Sequence, residues 1–144
     1  MTKTSLLLLM FLLFISSPGM ARNDLVTFSF NEAVEQGYKD GILDRAINFK
    51  LAGDSPTNVK QNYGEFRSNK KTNAVGKSDE TSCKWALLSV LKSFQARAQS
   101  FGGNAVINLK SNYKNRPFID ASTFQCGAGT IMVGVAMKGD VVKL

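Results

Sequence analysis

After an apolar amino-terminal segment, hydrophobic and polar positions alternate over Leu25 to Phe30. Val26, Phe28 and Phe30 fall on one side and Thr27 and Ser29 on the other, the pattern of a half-buried strand. Asn31 is placed to cap a short helix from Glu32 to Gln36, whose acidic residues suit the positive end of the helix dipole, and Gly37 and Gly41 either end it or bracket a turn. Alternation returns over Ala46 to Leu51, with Ile47, Phe49 and Leu51 sharing a face, and Gly53-Asp54-Ser55-Pro56 is a turn by composition. Val59 to Ser68 reads as an interrupted strand. Tyr63 and Phe66 fall on opposite faces of a regular strand, and Gly64 suggests a bulge or bend between them. From Ser68 to Lys77 the chain is polar and basic, which predicts a surface loop and the most mobile part of the domain.

The period then changes from two to 3.6. Ser78 opens the longest helical pattern with Asp79 and Glu80 in its first turn, Thr81 and Ser82 being alternative caps, and Leu87, Leu91, Phe94, Ala98 and Phe101 recur at steps of four and three. One further step back lands on Cys83, which places that cysteine on the apolar stripe. Gly102-Gly103 stops the helix, because glycine takes the left-handed conformation after a last turn without steric cost. Asn104 to Lys110 alternates with Ala105, Ile107 and Leu109 inward, and Asn112 to Pro117 is a polar loop. Phe118 to Cys126 is a strand with Phe124 and Cys126 on one face. After Gly127-Ala128-Gly129, Thr130 to Lys138 is apolar on both faces, as a central strand is. Gly139-Asp140 is expected to turn the chain into a short strand, Val141 to Leu144. Strands, one long helix, then three or four strands on short links predict an α+β fold: an antiparallel sheet with the helix packed across one face.

Composition adds the compartment. Lys3 and the apolar run Leu6 to Ile15, followed by Ser16-Ser17-Pro18 and Gly19-Met20-Ala21, have the form of a secretory signal with a cleavage site after Ala21. The run is about half the roughly 20 residues needed to span a membrane. Residues 1–21 are therefore read as a signal peptide and 22–144 as one domain, periplasmic or secreted, with no transmembrane segment after cleavage. In an oxidising compartment the only two cysteines, Cys83 and Cys126, are expected to pair, the alternative being two free buried thiols.

The chain has 144 residues, 44% of them hydrophobic, and a formal charge of +7 with no histidine. The missing histidine excludes imidazole-based acid/base catalysis, Ser-His-Asp and Cys-His pairs, and metal sites that need an imidazole. No catalytic residue, cofactor or metal is expected. The segment Lys71-Thr72-Asn73-Ala74-Val75-Gly76-Lys77-Ser78 matches the P-loop pattern except that Lys71 replaces the first glycine. No apolar strand leads into it, so it reads as a loop and a helix cap. The carboxylates, among them Asp44, Asp54, Glu65, Asp120 and Asp140, show no spacing that pairs two of them for hydrolysis.

Two basic groups remain. Arg67, Lys70, Lys71 and Lys77 form one; Lys110, Lys114 and Arg116, interleaved with Tyr113 and Phe118, form the other. They read either as a surface for an anionic polymer, lipid or nucleic acid, with nucleic acid the less fitting partner for an exported protein, or as a solvated face on a protein of high pI. Trp85 lies off the helical stripe. It is either covered by the amino-terminal half, the reading preferred here, or an exposed anchor for a partner protein or another copy of the chain.

Ser82-Cys83-Lys84-Trp85-Ala86, Gly102-Gly103-Asn104-Ala105-Val106, Phe124-Gln125-Cys126-Gly127-Ala128-Gly129, Ser68 to Asn73 and the closing Lys138-Gly139-Asp140-Val141-Val142-Lys143 resemble a family of small exported bacterial proteins that carry the label excinuclease ATPase subunit, the A component of the ABC excinuclease. Taken literally, the label implies ATP-dependent DNA repair. A large repair ATPase has paired nucleotide domains and zinc-binding cysteine clusters, and this chain has neither, nor a complete P-loop. The resemblance therefore implies a small exported protein and not that activity. A long helix running into a Gly-Asn-Ala-Val strand is also similar, at the level of fold, to YbjQ-like domains and the Rcs envelope stress-sensor lipoprotein, which implies a disulfide-bonded envelope module working by protein contacts. The expected function is that of a non-enzymatic module binding an envelope component, the alternative being a basic protein that binds anionic polymer, lipid or nucleic acid.

Overall fold

Every layer of the structure is built on one strand, the last in the sequence. A computed structural model describes residues 22–144; the predicted signal segment lies outside the described residues. The elements are β1 (Asp24–Ser29), α1 (Phe30–Lys39), β2 (Asn48–Leu51), β3 (Gln61–Asn73), α2 (Asp79–Phe101), β4 (Ala105–Ser111), a 3-10 turn (Tyr113–Asn115), β5 (Thr123–Ala128) and β6 (Met132–Lys143). The fold is α+β, as the pattern predicts: a six-stranded sheet, a 23-residue helix across it and a disulfide between Cys83 and Cys126.

β3 runs antiparallel along β6 from Gln61↔Lys143 to Asn73↔Met132. The opposite edge of β6 is divided: β5 takes its first residues (Gly127↔Gly134, Ala128↔Val133) and β4 its later ones (Ser111↔Met137 to Ala105↔Val142). β1 extends the sheet beyond β5 as an antiparallel neighbour, and β2 extends it beyond β4 as a parallel one. That pair is the exception to the antiparallel expectation, and the long excursion through β3 and α2 between its strands supplies the crossover a parallel pair needs. β6 is covered by the helices along one face and only in part on the other, where Lys138 and Asp140 are half-exposed. Val133, Val135, Met137 and Val141 join the core under the helices, while Val142 belongs to a smaller cluster with Ala105 and Ile107.

Several boundaries differ from the sequence pattern, each for a physical reason. Ser29, not Asn31, caps α1, its hydroxyl accepting from the Glu32 amide, so the helix begins earlier and buries Phe30. The stretch predicted as a mobile loop is strand as far as Asn73. An edge strand needs only one partner, and β6 offers its whole length, so polar residues fit where one side meets solvent. Gly139-Asp140 makes no turn and β6 runs through it. A side chain at Gly139 would place Cβ 2.7 Å from Leu109 Cδ2 and 3.0 Å from the Ile107 carbonyl, so glycine there serves a close strand approach.

Inward and outward alternation in β4 breaks at Asn108, which has φ 51°. The kink sends Val106 and Leu109 to the helix side and Ala105 and Ile107 to the other. β5 begins later than predicted, at Thr123, and continues through Gly127-Ala128; Phe118 makes only an isolated bridge to Ser111.

α2 is capped by Ser78, whose Oγ accepts from the Thr81 amide at 3.1 Å, and ends at Gly102 with φ 75°. Its predicted stripe is buried from Cys83 to Ala98. Phe101, at 45% exposure, lies against Tyr63 and Phe66 at centroid distances of 5.5 and 5.8 Å. Those two rings reach the same side because the register shifts between Asn62 and Glu65, around Gly64 with φ 106°, which is the bulge the sequence suggests.

Candidate functional site

In an antiparallel ladder, residues directly opposite one another point to the same face. The register therefore fixes what the sheet shows on the side away from the helices. Arg67 on β3 pairs with Lys138 on β6, and Lys138 pairs with Lys110 on β4. Three cations thus stand side by side across three strands spaced about 4.8 Å apart. Like charges in opposed positions repel, so the row costs stability. Arg67 approaches Glu65 at 3.6 Å with 62% of its side chain exposed, and Lys110 and Lys138 make no ion pair among the described residues. The next row toward the Met132 end is Asn69↔Ala136, then Lys71↔Gly134↔Gly127.

The Tyr113–Asn115 turn folds over these small residues. The ring of Tyr113 lies against the sheet so closely that a Cβ on Gly127 would sit 2.2 Å from Tyr113 Cζ, and one on Gly134 3.5 Å from Cε2. Lys114 and Asn115 both adopt left-handed backbone, with φ 52° and 59°, a conformation that carries them over the sheet and is costly for lysine. The Lys114 amine stands 5.6 Å from the centre of the Tyr113 ring. Between turn and sheet is a pocket of about 260 Å³ whose lining includes Arg67, Asn69, Asn112, Lys114, Asn115 and Ala136. A second, of about 160 Å³, is lined by Asn23, Leu25, Tyr113, Lys114, Arg116 and Gln125.

Of the three buried polar side chains among the described residues, two are hydrogen-bonded. Ser82 donates to the Ser78 carbonyl at 3.0 Å, and Ser111 Oγ accepts from the Gln125 amide at 2.8 Å. Asn112, at 7% exposure, has no partner for its carboxamide among the described residues, and it lines the larger pocket. No side-chain nitrogen or oxygen among these residues is both fully sealed and unpartnered, so the Asn112 carboxamide keeps some contact with solvent.

The structure thus joins the two basic groups of the sequence only in part. Arg67 and Lys114 meet at one pocket, and Lys71 and Lys110 lie on the same face. Lys70 is opposite Val135 and so projects on the helix side, while Lys77 lies in the turn before α2 and donates to the Asn73 carbonyl at 3.4 Å. The near-match to a P-loop is therefore an edge strand followed by a turn and a cap. Lys138 and the carboxamides of Asn69 and Asn112 do not stand out in the sequence. Lys138 had one signal, a cation at an alternating position of an otherwise apolar strand.

Trp85 is 53% exposed, against the preferred reading that the amino-terminal half covers it. α1 covers Leu88 instead: a Cβ on Gly37 would lie 2.5 Å from Leu88 Cδ2, so the helices touch there and leave Trp85 beyond the contact. Trp85, Ile42 and Leu88 line a largely apolar groove of about 180 Å³, whose polar lining is Gln36, Asp40, Thr81 and Lys84.

Three carboxylates are tied into the local structure by hydrogen bonds. Asp120 accepts from the hydroxyl and amide of Thr123, each at 2.7 Å, and from Ser122, bonds that hold its carboxyl down at about 2. Asp79, bound by the Arg22 guanidinium, is held below the usual carboxylate range. Asp140 accepts from the Asn108 carboxamide at 2.9 Å. Among the described residues no group of three or more His, Cys, Asp or Glu side chains could hold a metal ion, and no helix is long and apolar enough to cross a membrane. No family model, curated protein or solved structure matches the chain.

Proposed function

We propose that this protein is a non-enzymatic binding module of an exported compartment, periplasmic or secreted, and that it engages an anionic envelope component through the sheet face its helices leave bare. The observation that carries the reading is the in-register row Arg67, Lys138, Lys110, with Lys114 held above it by a left-handed turn. A row of like charges lowers stability, and a polyanion laid across it relieves that cost. The buried Cys83–Cys126 bridge supports the compartment, since structural disulfides persist where the surroundings are oxidising.

The test compares two charge-matched pairs. Arg67→Glu with Lys138→Glu, on the bare face, abolishes retention on an immobilised sulfated polysaccharide at moderate salt and flattens the salt dependence. Lys70→Glu with Lys77→Glu alters net charge equally, and retention falls only slightly. Equal losses in both pairs would mean that net charge alone governs binding, and the assignment of the face would fail.

A protein partner is favoured by a separate observation, the exposed Trp85 beside an apolar groove between α1 and α2. In crosslinking within the native envelope, a partner captured by the natural protein and lost in Trp85→Ala supports that contact. An unchanged capture pattern removes it.

A further inference from the structure

We propose that the pocket between β3, β6 and the Tyr113–Asn115 turn is a saccharide subsite, and that the anionic component bound on this face is an acidic oligosaccharide carrying carboxylate or sulfate groups among free hydroxyls. The inference rests on the anion-binding reading above and narrows it. Bare phosphate asks only for donors, which Arg67 and Lys114 already supply. The pocket also presents three carboxamides, Asn69, Asn112 and Asn115. Each carries an acceptor oxygen as well as donor hydrogens, and an acceptor facing an anionic oxygen is repelled. A hydroxyl, being donor and acceptor at once, satisfies both ends of a carboxamide.

Cations and carboxamides together therefore match a ligand in which an anionic group and hydroxyls lie side by side. Asn112 supplies the independent sign that something polar enters. It is more than nine-tenths buried, it lines the pocket and its carboxamide has no partner among the described residues, whereas the other buried polar side chains are bonded. The carboxamide keeps a narrow opening to solvent, so a ligand hydroxyl entering the pocket can take the place of water there.

Two other polyanions fit less well. Single-stranded nucleic acid stacks its bases on exposed aromatic faces, and here the Tyr113 ring lies against Gly127 and Gly134. A membrane surface calls for a patch of one sign, whereas Glu65 and Asp140 form an acidic row close beside the cations.

Titration of the purified protein with a tetrameric uronic-acid oligosaccharide, followed by amide NMR, tests the subsite. Saturable shifts at Asn69, Asn112, Lys114 and Asn115 are expected, with the Asn112 carboxamide resonances moving most. The methyl-esterified oligosaccharide loses binding. Asn112→Leu weakens the uronate about tenfold, the worth of one hydrogen bond in a pocket, and leaves inorganic polyphosphate unaffected. Lys114→Gln, at an exposed position, weakens both and serves as the second variant if Asn112→Leu does not fold. If polyphosphate or phosphatidylglycerol vesicles bind at this face and the uronate does not, the saccharide assignment is overturned and the anion-binding reading stands. If no anion binds, both fall. Uronate binding unchanged in both variants also overturns the subsite.

Discussion

The two faces of the sheet are built by the same strands and obey opposite rules. Under the helices, alternate residues of β6 are Val133, Val135, Met137 and Val141, and they meet Leu87, Leu91 and Phe94 of α2 in one core. Burying each large side chain there contributes about 1.5–3 kcal/mol. One residue over, the same strand presents Gly134, Ala136, Lys138 and Asp140 to the bare side, where the neighbours are Arg67, Lys110 and the carboxamides. One face is chosen for burial. The other combines small residues that admit a close-lying turn with charges that repel one another. The difference teaches where packing stops deciding the sequence in this molecule, because the second face sets three cations in register with the acidic pair Glu65 and Asp140 beside them.

The largest break in that comparison comes from the staple. Replacing Cys83 and Cys126 together by alanine removes the bridge from α2 to β5 and lowers stability by about 2–5 kcal/mol, read as a fall in urea midpoint. Gly127→Ala acts from the other side. Its methyl group would overlap the Tyr113 ring, so the turn lifts from the sheet at a cost of about 1–3 kcal/mol, and the Tyr113 amide shifts in NMR. Phe101→Ala, which removes an aromatic neighbour from both Tyr63 and Phe66, costs about 1 kcal/mol in thermal unfolding.

Lys138→Gln sharpens the contrast. Stability stays within about 0.5 kcal/mol of the natural protein, or rises, while retention on a polyanion falls. Loss of stability there would place Lys138 among the structural residues.

The smallest effect is on acid tolerance. The Thr123 hydroxyl, with the amides of Thr123 and Ser122, lowers the Asp120 carboxyl from its ordinary 3.8 to about 2 in the folded state. Its contribution is therefore present above the ordinary value and is lost as pH falls toward 2. Asp120→Asn should narrow the difference between unfolding midpoints measured at about pH 5 and about pH 2.5.

The helix face was legible in the sequence, and the bare face largely was not. The stripe from Cys83 to Ala98, the start of the long helix near Ser78 and the Gly64 bulge follow from local pattern. What local pattern could not carry is register. Arg67, Lys110 and Lys138 lie far apart in sequence and meet only because β3 and β4 flank the same stretch of β6. The polar run from Ser68 to Asn73 looks like a loop to any rule based on hydrophobicity, since its strand character comes from the neighbour it pairs with. Asn108 is similar: a left-handed residue inside a strand reverses the alternation that follows it, and nothing in the flanking residues announces it. Trp85 depended on where α1 comes to rest, which is a matter of the close approach at Gly37.

The position of β6 also orders events in time. It is the strand to which β3, β4 and β5 all attach, and it is the last of the described elements to be synthesised. Until Met132–Lys143 has emerged, β1 with β5 and β2 with β4 can form only separate pairs, and β3 has no partner. Contacts that join distant parts of a chain form slowly, because loop closure has to precede them. The sheet therefore becomes one piece only when β6 joins it, and until then its strands are held as separate pairs.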